Sequence, residues 1–264
     1  MARALPEIAR QASDFWHSAP DYMARETMKE KALTAQKRRL RIGAKATDPP
    51  KPVMKDREIV SYYAISFFNA RREALHEFRE IVSMDGKETA PEASARAKLA
   101  AILESKDDRA KQALVEDFEK STLSVAATDF GQLILLFTRG NLSKYTFALK
   151  SRQQVGVDRA LVIGFQQNTG GESLQITEPG RKVNQPLSGE LWIRESDYLP
   201  LRITLTSTHL DEGDEIRDDA TVDYLSRSRG VFLPAAITYR RYIKKTMVVE
   251  NIAEYSDWQP VHPK

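Results

Sequence analysis

The sequence predicts an α+β fold: a curved antiparallel β-sheet, a half-barrel, with helices packed on its concave face. Three observations predict it. After Gly140 the chain is strand and turn at hairpin spacing, without long helical crossovers, and so makes an antiparallel meander. Earlier, β-branched and aromatic residues crowd positions 59–68. Between the two, positions 91–123 are rich in Ala, Leu, Lys and Glu at a period of 3.6. The expected organisation is one domain over residues 1–264. It has an N-terminal helix at 1–20, first strands at 21–86, a helical insert at 91–139 and the meander at 144–258.

Each element has its own signal. "ALPEIARQASDFWHSA" places Leu5, Ile8, Ala12, Phe15 and Trp16 at helical spacing, and Pro20 stops the helix. "DYMARETMKEKALTAQKRRLRI" reads as a long strand, with Tyr22, Ala24 and Glu26 on one face and Met23, Arg25 and Thr27 on the other; on propensity alone it would also make an amphipathic helix. "GAKATDPPKPVMKD" holds three prolines and is a loop. Two strands follow, separated at "NARRE" and closed by a turn at Asp85-Gly86. In the insert, Pro91 stands at the start of one helix and "KDD" separates it from a second. Their stripes are Leu99, Ile102 and Leu103, then Leu114, Val115 and Phe118. "ATDFGQLILLFTRGN" reads as a third short helix, with Asp129 as N-cap and Gly140 past its end. The meander is "KYTFALKSRQQV", "ALVIGFQQ", a turn at "NTGG", "SGELWIRE", "LPLRITLTST", a charged loop at "DEGDEI", "DDATVDYLSRSRG", "VFLPAAITYRRYI" and "TMVVENIAEYSDW".

Composition narrows the function classes. Hydrophobic residues make up 41% and charged residues 29%, enough apolar material for a core. Net charge is +3, from 40 Lys+Arg against 37 Asp+Glu, which gives no general case for nucleic acid or anionic membrane as partner. With no cysteine, disulfides, thiolate metal sites, a cysteine nucleophile and a lipid-anchoring cysteine are all excluded for this chain. The run "FGQLILLF" is less than half of the roughly 20 residues that a membrane-spanning helix needs, so no transmembrane span is expected. "MARALPEIARQASDFW" has charges early and no continuous apolar stretch, so it does not read as a signal peptide.

"LSGELWIRESDYLPLRITL", "VDYLSRSRGVFLPAAITYRRY" and "AEYSDWQP" carry a resemblance. They resemble the C-terminal meander of bacterial periplasmic lipoprotein-carrier proteins of the LolA/LolB type, and more nearly the uncharacterised envelope proteins that share their half-barrel. The matching residues are Gly189, Leu191, Trp192, Ile193, Pro200, Arg202, Tyr224, Phe232, Leu233, Pro234 and Tyr255. The insert at 91–123 is longer than the lid helices of the carrier proper. The resemblance implies a periplasmic, non-enzymatic protein whose concave apolar face takes an acyl chain, a lipoprotein or another hydrophobic ligand, or meets an envelope partner.

No catalytic or metal constellation assembles from the residues. His17, His76, His209 and His262 lie on different elements without ligand spacing. The acidic cluster Asp211–Glu215 lacks the spacing of a calcium loop. Glycines near "NTGGES" and "RGVF" match no nucleotide-binding pattern, and no G-x-S-x-G occurs, so no cofactor is expected. The basic run at 36–57 has no interleaved aromatics for base stacking, and nucleic acid is not expected. The remaining signal is apolar surface. Phe147, Leu149, Ile163, Phe165, Leu191, Ile193, Ile203 and Leu205 fall on one sheet face, and Phe130, Ile134 and Phe137 would cover them. Two readings of this surface stand: a ligand site, or a dry, filled core in a scaffolding module. Period-2 alternation sends Trp192 to the opposite face.

Overall fold

The computed structural model describes residues 3–34, 51–124, 129–168, 175–178, 181–184, 186–211, 213–226 and 231–262. Helix α1 (Ala4–Ser18) leads into strands β1 (Tyr22–Thr34), β2 (Val53–Phe68), β3 (Arg71–Met84) and β4 (Lys87–Glu88). Helices α2 (Glu92–Glu104) and α3 (Asp108–Ser121) follow, then a 3₁₀ turn at Leu133–Phe137. The remainder is β5 (Tyr145–Val155), β6 (Asp158–Gln167), β7 (Gln175–Glu178), β8 (Arg181–Asn184), β9 (Leu187–Arg194), β10 (Pro200–Asp211), β11 (Asp214–Ser226), β12 (Phe232–Ile243) and β13 (Thr246–Pro260).

Eleven strands form one open antiparallel sheet in the order β4-β3-β2-β1-β13-β12-β11-β10-β9-β6-β5. The predicted meander is continuous within it, since β9 pairs with both β6 and β10. The first and last strands close the two halves together, with β1 against β13 from Tyr22↔Pro260 to Ala32↔Val249. Residues 22–34 are a strand, which decides between the two readings of that stretch. Tertiary pairing on both sides outweighs helix propensity there. The β3–β4 turn is Asp85-Gly86 with φ of 51° and 74°, the two positive values a type I′ hairpin needs.

The concave face is covered by α1 and the 3₁₀ turn. Ala4, Ile8, Ala12 and Phe15 of α1 join Leu133, Ile134 and Phe137 in one cluster with the sheet. The insert behaves differently from the expectation that helices sit on the concave face alone. Ala95 and Leu99 of α2 and Leu114 of α3 pack with Met23, Val60, Tyr62, Ala64, Phe78 and Val82, which project from the opposite side of β1–β3. The reason lies in β2: residues 59–65 are buried on both faces, so the strand offers apolar side chains in both directions. α3 reaches both sides, with Phe118 in the concave cluster and Leu114 in the outer one. Its start is tied to the β2–β3 turn, where Asp108 accepts from the backbone N–H of Asn69 and Ala70 at 2.8 and 2.9 Å.

Within α2 the predicted stripe is graded. Leu99 is fully buried, whereas Ile102 and Leu103 are half-buried at the rim of that cluster. Leu99→Ala should therefore cost about 2–5 kcal/mol, as core Leu→Ala changes do. Leu103→Ala should cost clearly less. Equal losses in urea-unfolding midpoints would show that α2 docks in another orientation.

Three further expectations are revised. Residues 133–137 form a 3₁₀ turn rather than an α-helix, and no side chain caps its start; Asp129 lies instead 3.8 Å from Arg79. The 3₁₀ form eclipses positions i and i+3, which puts Ile134 and Phe137 down onto the sheet together. The charged stretch after β10 is a hairpin rather than a loop, with pairing that runs out to Asp211↔Asp214. A short separate hairpin, β7–β8, stands between β6 and β9, where only a turn was expected. Residues 35–42 of the predicted first strand, 36–50 of the basic run and 169–171 of the "NTGG" turn lie outside the described residues, and residues 53–56 of the predicted loop are the start of β2.

Candidate functional site

One row of directly paired residues crosses the concave face and shows its character. It runs Arg57, Glu30, Asn251, Tyr239, Ala220, Leu205, Gly189, Phe165, Phe147 over nine neighbouring strands. The first four residues are polar and the last five are small or apolar. The concave face thus has a polar half on β1–β3, β12 and β13, and an apolar half on β5, β6, β9 and β10.

The apolar half is where the sequence-predicted residues gather. Phe130, Ile134, Phe137, Ile163, Phe165, Leu191, Ile193, Ile203 and Leu205 belong to one buried cluster, and Phe147 packs against it half-buried. Leu149 does not join them. It pairs with Ile163 and so faces the concave side, yet it is 44% exposed, on an edge strand beyond the cover. A register shift between Leu149 and Ser151 then ends the alternation. The Phe137 ring lies 4.9 Å from Phe165 and 5.6 Å from Tyr145. Gly189 belongs here for steric reasons. A Cβ at this position would collide with the Thr204 carbonyl and sit 2.9 Å from the Phe165 ring. Trp192 is on the outer face, half-buried, with the Arg202 guanidinium 5.9 Å from its ring and its Nε1 donating to Glu190 at 3.2 Å.

The polar half holds charges that sequence reasoning did not single out. Arg79 is buried between two carboxylates: its Nε donates to Glu26 Oε2 at 2.8 Å and its Nη2 to Glu77 Oε2 at 2.7 Å. Glu26 also accepts from Ser61 Oγ and from the Tyr255 hydroxyl. The guanidinium packs 5.0 Å from the Tyr63 ring and 4.5 Å from Phe118. Glu77 Oε1 accepts from Gly131 N–H at 2.8 Å, and the Tyr224 hydroxyl donates to Gly131 O at 3.3 Å. The backbone N–H and C=O of Gly131, at the head of the covering segment, are thus held by side chains of β3 and β11. Nearby, Glu30 accepts from the backbone N–H of Leu123 and Ser124 at 2.6 and 2.8 Å, and burial raises its pKa. A second buried pair, Arg241 with Asp218, takes in the Tyr239 hydroxyl at 2.6 Å from Asp218. The available signal was the alternation Ala24, Glu26, Met28, Glu30, Ala32, which puts two glutamates among small apolar residues on one face.

Burial pushes the Glu77 carboxyl from 4.5 up to about 8, against the pull of Arg79. Between those values the folded protein keeps a proton that the unfolded chain has released. Stability therefore falls as pH rises from 4.5 to about 8 and levels off above it. Glu77→Gln keeps an acceptor for Gly131 N–H and carries no charge. It should flatten this part of the pH–stability curve measured by urea unfolding; an unchanged slope would assign the proton elsewhere.

A pocket of about 20 Å³ opens beside this cluster, lined by Glu26, Met28, Arg79, Phe130, Ile237, Tyr239, Asn251, Ala253 and Tyr255. That is room for about one water-sized molecule. Among the described residues no group of His, Cys, Asp or Glu is placed to hold a metal ion. None of the described helices is long and apolar enough to cross a membrane.

No family model matches the chain, and no curated protein matches it. Among solved structures it is similar to a DUF1329 family protein from Desulfovibrio piger, at 10% identity over 98% of this chain and 92% of that one, with a TM-score of 0.40. It is also similar to a protein from Vibrio parahaemolyticus assigned as an outer membrane lipoprotein-sorting protein domain, at 12% identity over 96% and 91%, with a TM-score of 0.38. At these TM-scores the likeness is one of outline.

Proposed function

We propose that the protein is a non-enzymatic bacterial envelope protein that binds an apolar ligand, an acyl chain or the lipid of a lipoprotein, on the apolar half of its concave face. The observation that carries this reading is the cover itself. Ile134 and Phe137 come from a short 3₁₀ segment, not from a regular helix, and share one buried cluster with Ile163, Phe165, Leu191, Ile193, Ile203 and Leu205, while Phe130, just before the segment, stacks on Tyr239. Apolar side chains held by a short segment over an apolar floor are what a bound acyl chain would replace. The envelope location rests on the hairpin motifs. The non-enzymatic reading is supported by the surroundings of Glu77: its two oxygens are taken up by Arg79 and by the Gly131 N–H, and the pocket beside the cluster is water-sized.

A second reading, a scaffolding module with a filled core and no ligand, is favoured by one specific observation. Nine of the eleven predicted ligand-binding residues are at most 6% exposed. Titration of an environment-sensitive apolar dye separates the two. The ligand site predicts saturable uptake that changes with Leu205→Ala and is indifferent to Trp192→Ala on the outer face. No uptake by the wild-type protein leaves the scaffold.

A further inference from the structure

We infer that the pocket between β1, β3, β12 and β13 is a binding site for one ordered water molecule, which bridges Asn251 to the buried Glu26–Arg79 pair. Asn251 lines this pocket at 6% exposure, and its Oδ1 has no hydrogen-bond partner among the described residues. A buried acceptor left so has given up its hydrogen bond to water for nothing, and a donor in the pocket restores it. The pocket volume of about 20 Å³ exceeds the roughly 10–15 Å³ that one water needs. A bridging water also needs two or more polar partners. Glu26, Arg79, Tyr239 and Tyr255 line the same pocket.

The charge balance selects water over a cation. Glu26 is already paired with Arg79 at 2.8 Å, and Asp218, which receives the Tyr239 hydroxyl, is paired with Arg241 at 2.8 Å. The positive guanidinium of Arg79 borders the pocket itself. Position gives the water a role. Asn251 pairs directly with Glu30 on β1 and with Tyr239 on β12. A water held at Asn251 therefore connects the Glu26–Arg79–Glu77 group to the Tyr239–Asp218–Arg241 group across β13, and makes one polar network of two.

A crystal structure at atomic resolution tests the assignment. The expected result is one ordered oxygen within hydrogen-bond distance of Asn251 Oδ1 and of Glu26 or Arg79. That density should be lost in Asn251→Leu, which removes the acceptor. Ala253→Val narrows the pocket without touching a polar group and should lose it as well, so the proposal stays testable if Asn251→Leu does not fold. An Asn251 Oδ1 satisfied by another protein group, an empty pocket in the wild type, density with the short oxygen contacts of a metal ion, or a water that persists unchanged in Asn251→Leu would overturn it.

Discussion

Replacing Arg79 with methionine should cost about 3–5 kcal/mol, the loss seen when one partner of a buried ion pair is removed. The guanidinium is the cation shared by Glu26 and Glu77, and both carboxylates have side chains at 0% exposure. Methionine has comparable length and no charge, so packing against Tyr63 and Phe118 is partly kept and the loss reports the stranded Glu26 carboxylate, since Glu77 holds its proton up to about pH 8. Arg79→Lys should fall between the two, because a single ammonium cannot donate in a fixed fork to both acids. A loss below about 1 kcal/mol at neutral pH, within the range of surface ion pairs, would mean that water reaches the cluster.

The second large effect belongs to the apolar half. Phe137→Ala should destabilise the protein by about 3–5 kcal/mol, as buried Phe→Ala changes do. Phe137 is 0% exposed, and its ring meets those of Tyr145, Phe147 and Phe165. The same change should increase uptake of an apolar dye, since it empties part of the cover while the floor of Ile163, Leu191 and Ile203 stays in place. A destabilised Phe137→Ala protein that takes up no dye would show that the floor closes up behind the lost ring and never accepts a ligand.

Much of the architecture was legible because period-2 alternation fixes faces. Leu191 and Ile193 against Trp192 fell where the pattern put them, and the Asp85-Gly86 turn was readable from two residues. The side taken by α2 was not legible. A strand buried on both faces, as β2 is over residues 59–65, reads as a plain apolar run, and nothing in such a run says which face a later helix covers. Leu149 shows the limit of alternation: register gave its direction, and only the extent of the cover decided its exposure. The buried charges were missed for a related reason. Glu26, Glu77 and Arg79 come from two strands about fifty residues apart, and each alone reads as a surface residue until sheet pairing brings them together.

The account turns on whether residues 130–137 occupy a place that a ligand takes. Hydrogen exchange at the Gly131 amide, which donates to Glu77, tests this directly, measured with and without a saturating medium-chain fatty acid. If the acyl chain displaces the segment, Gly131 should lose protection on addition of the fatty acid, while the Leu191 amide in the middle of the sheet keeps its own. Unchanged protection at Gly131 would contradict the ligand site and leave the concave face as a filled core.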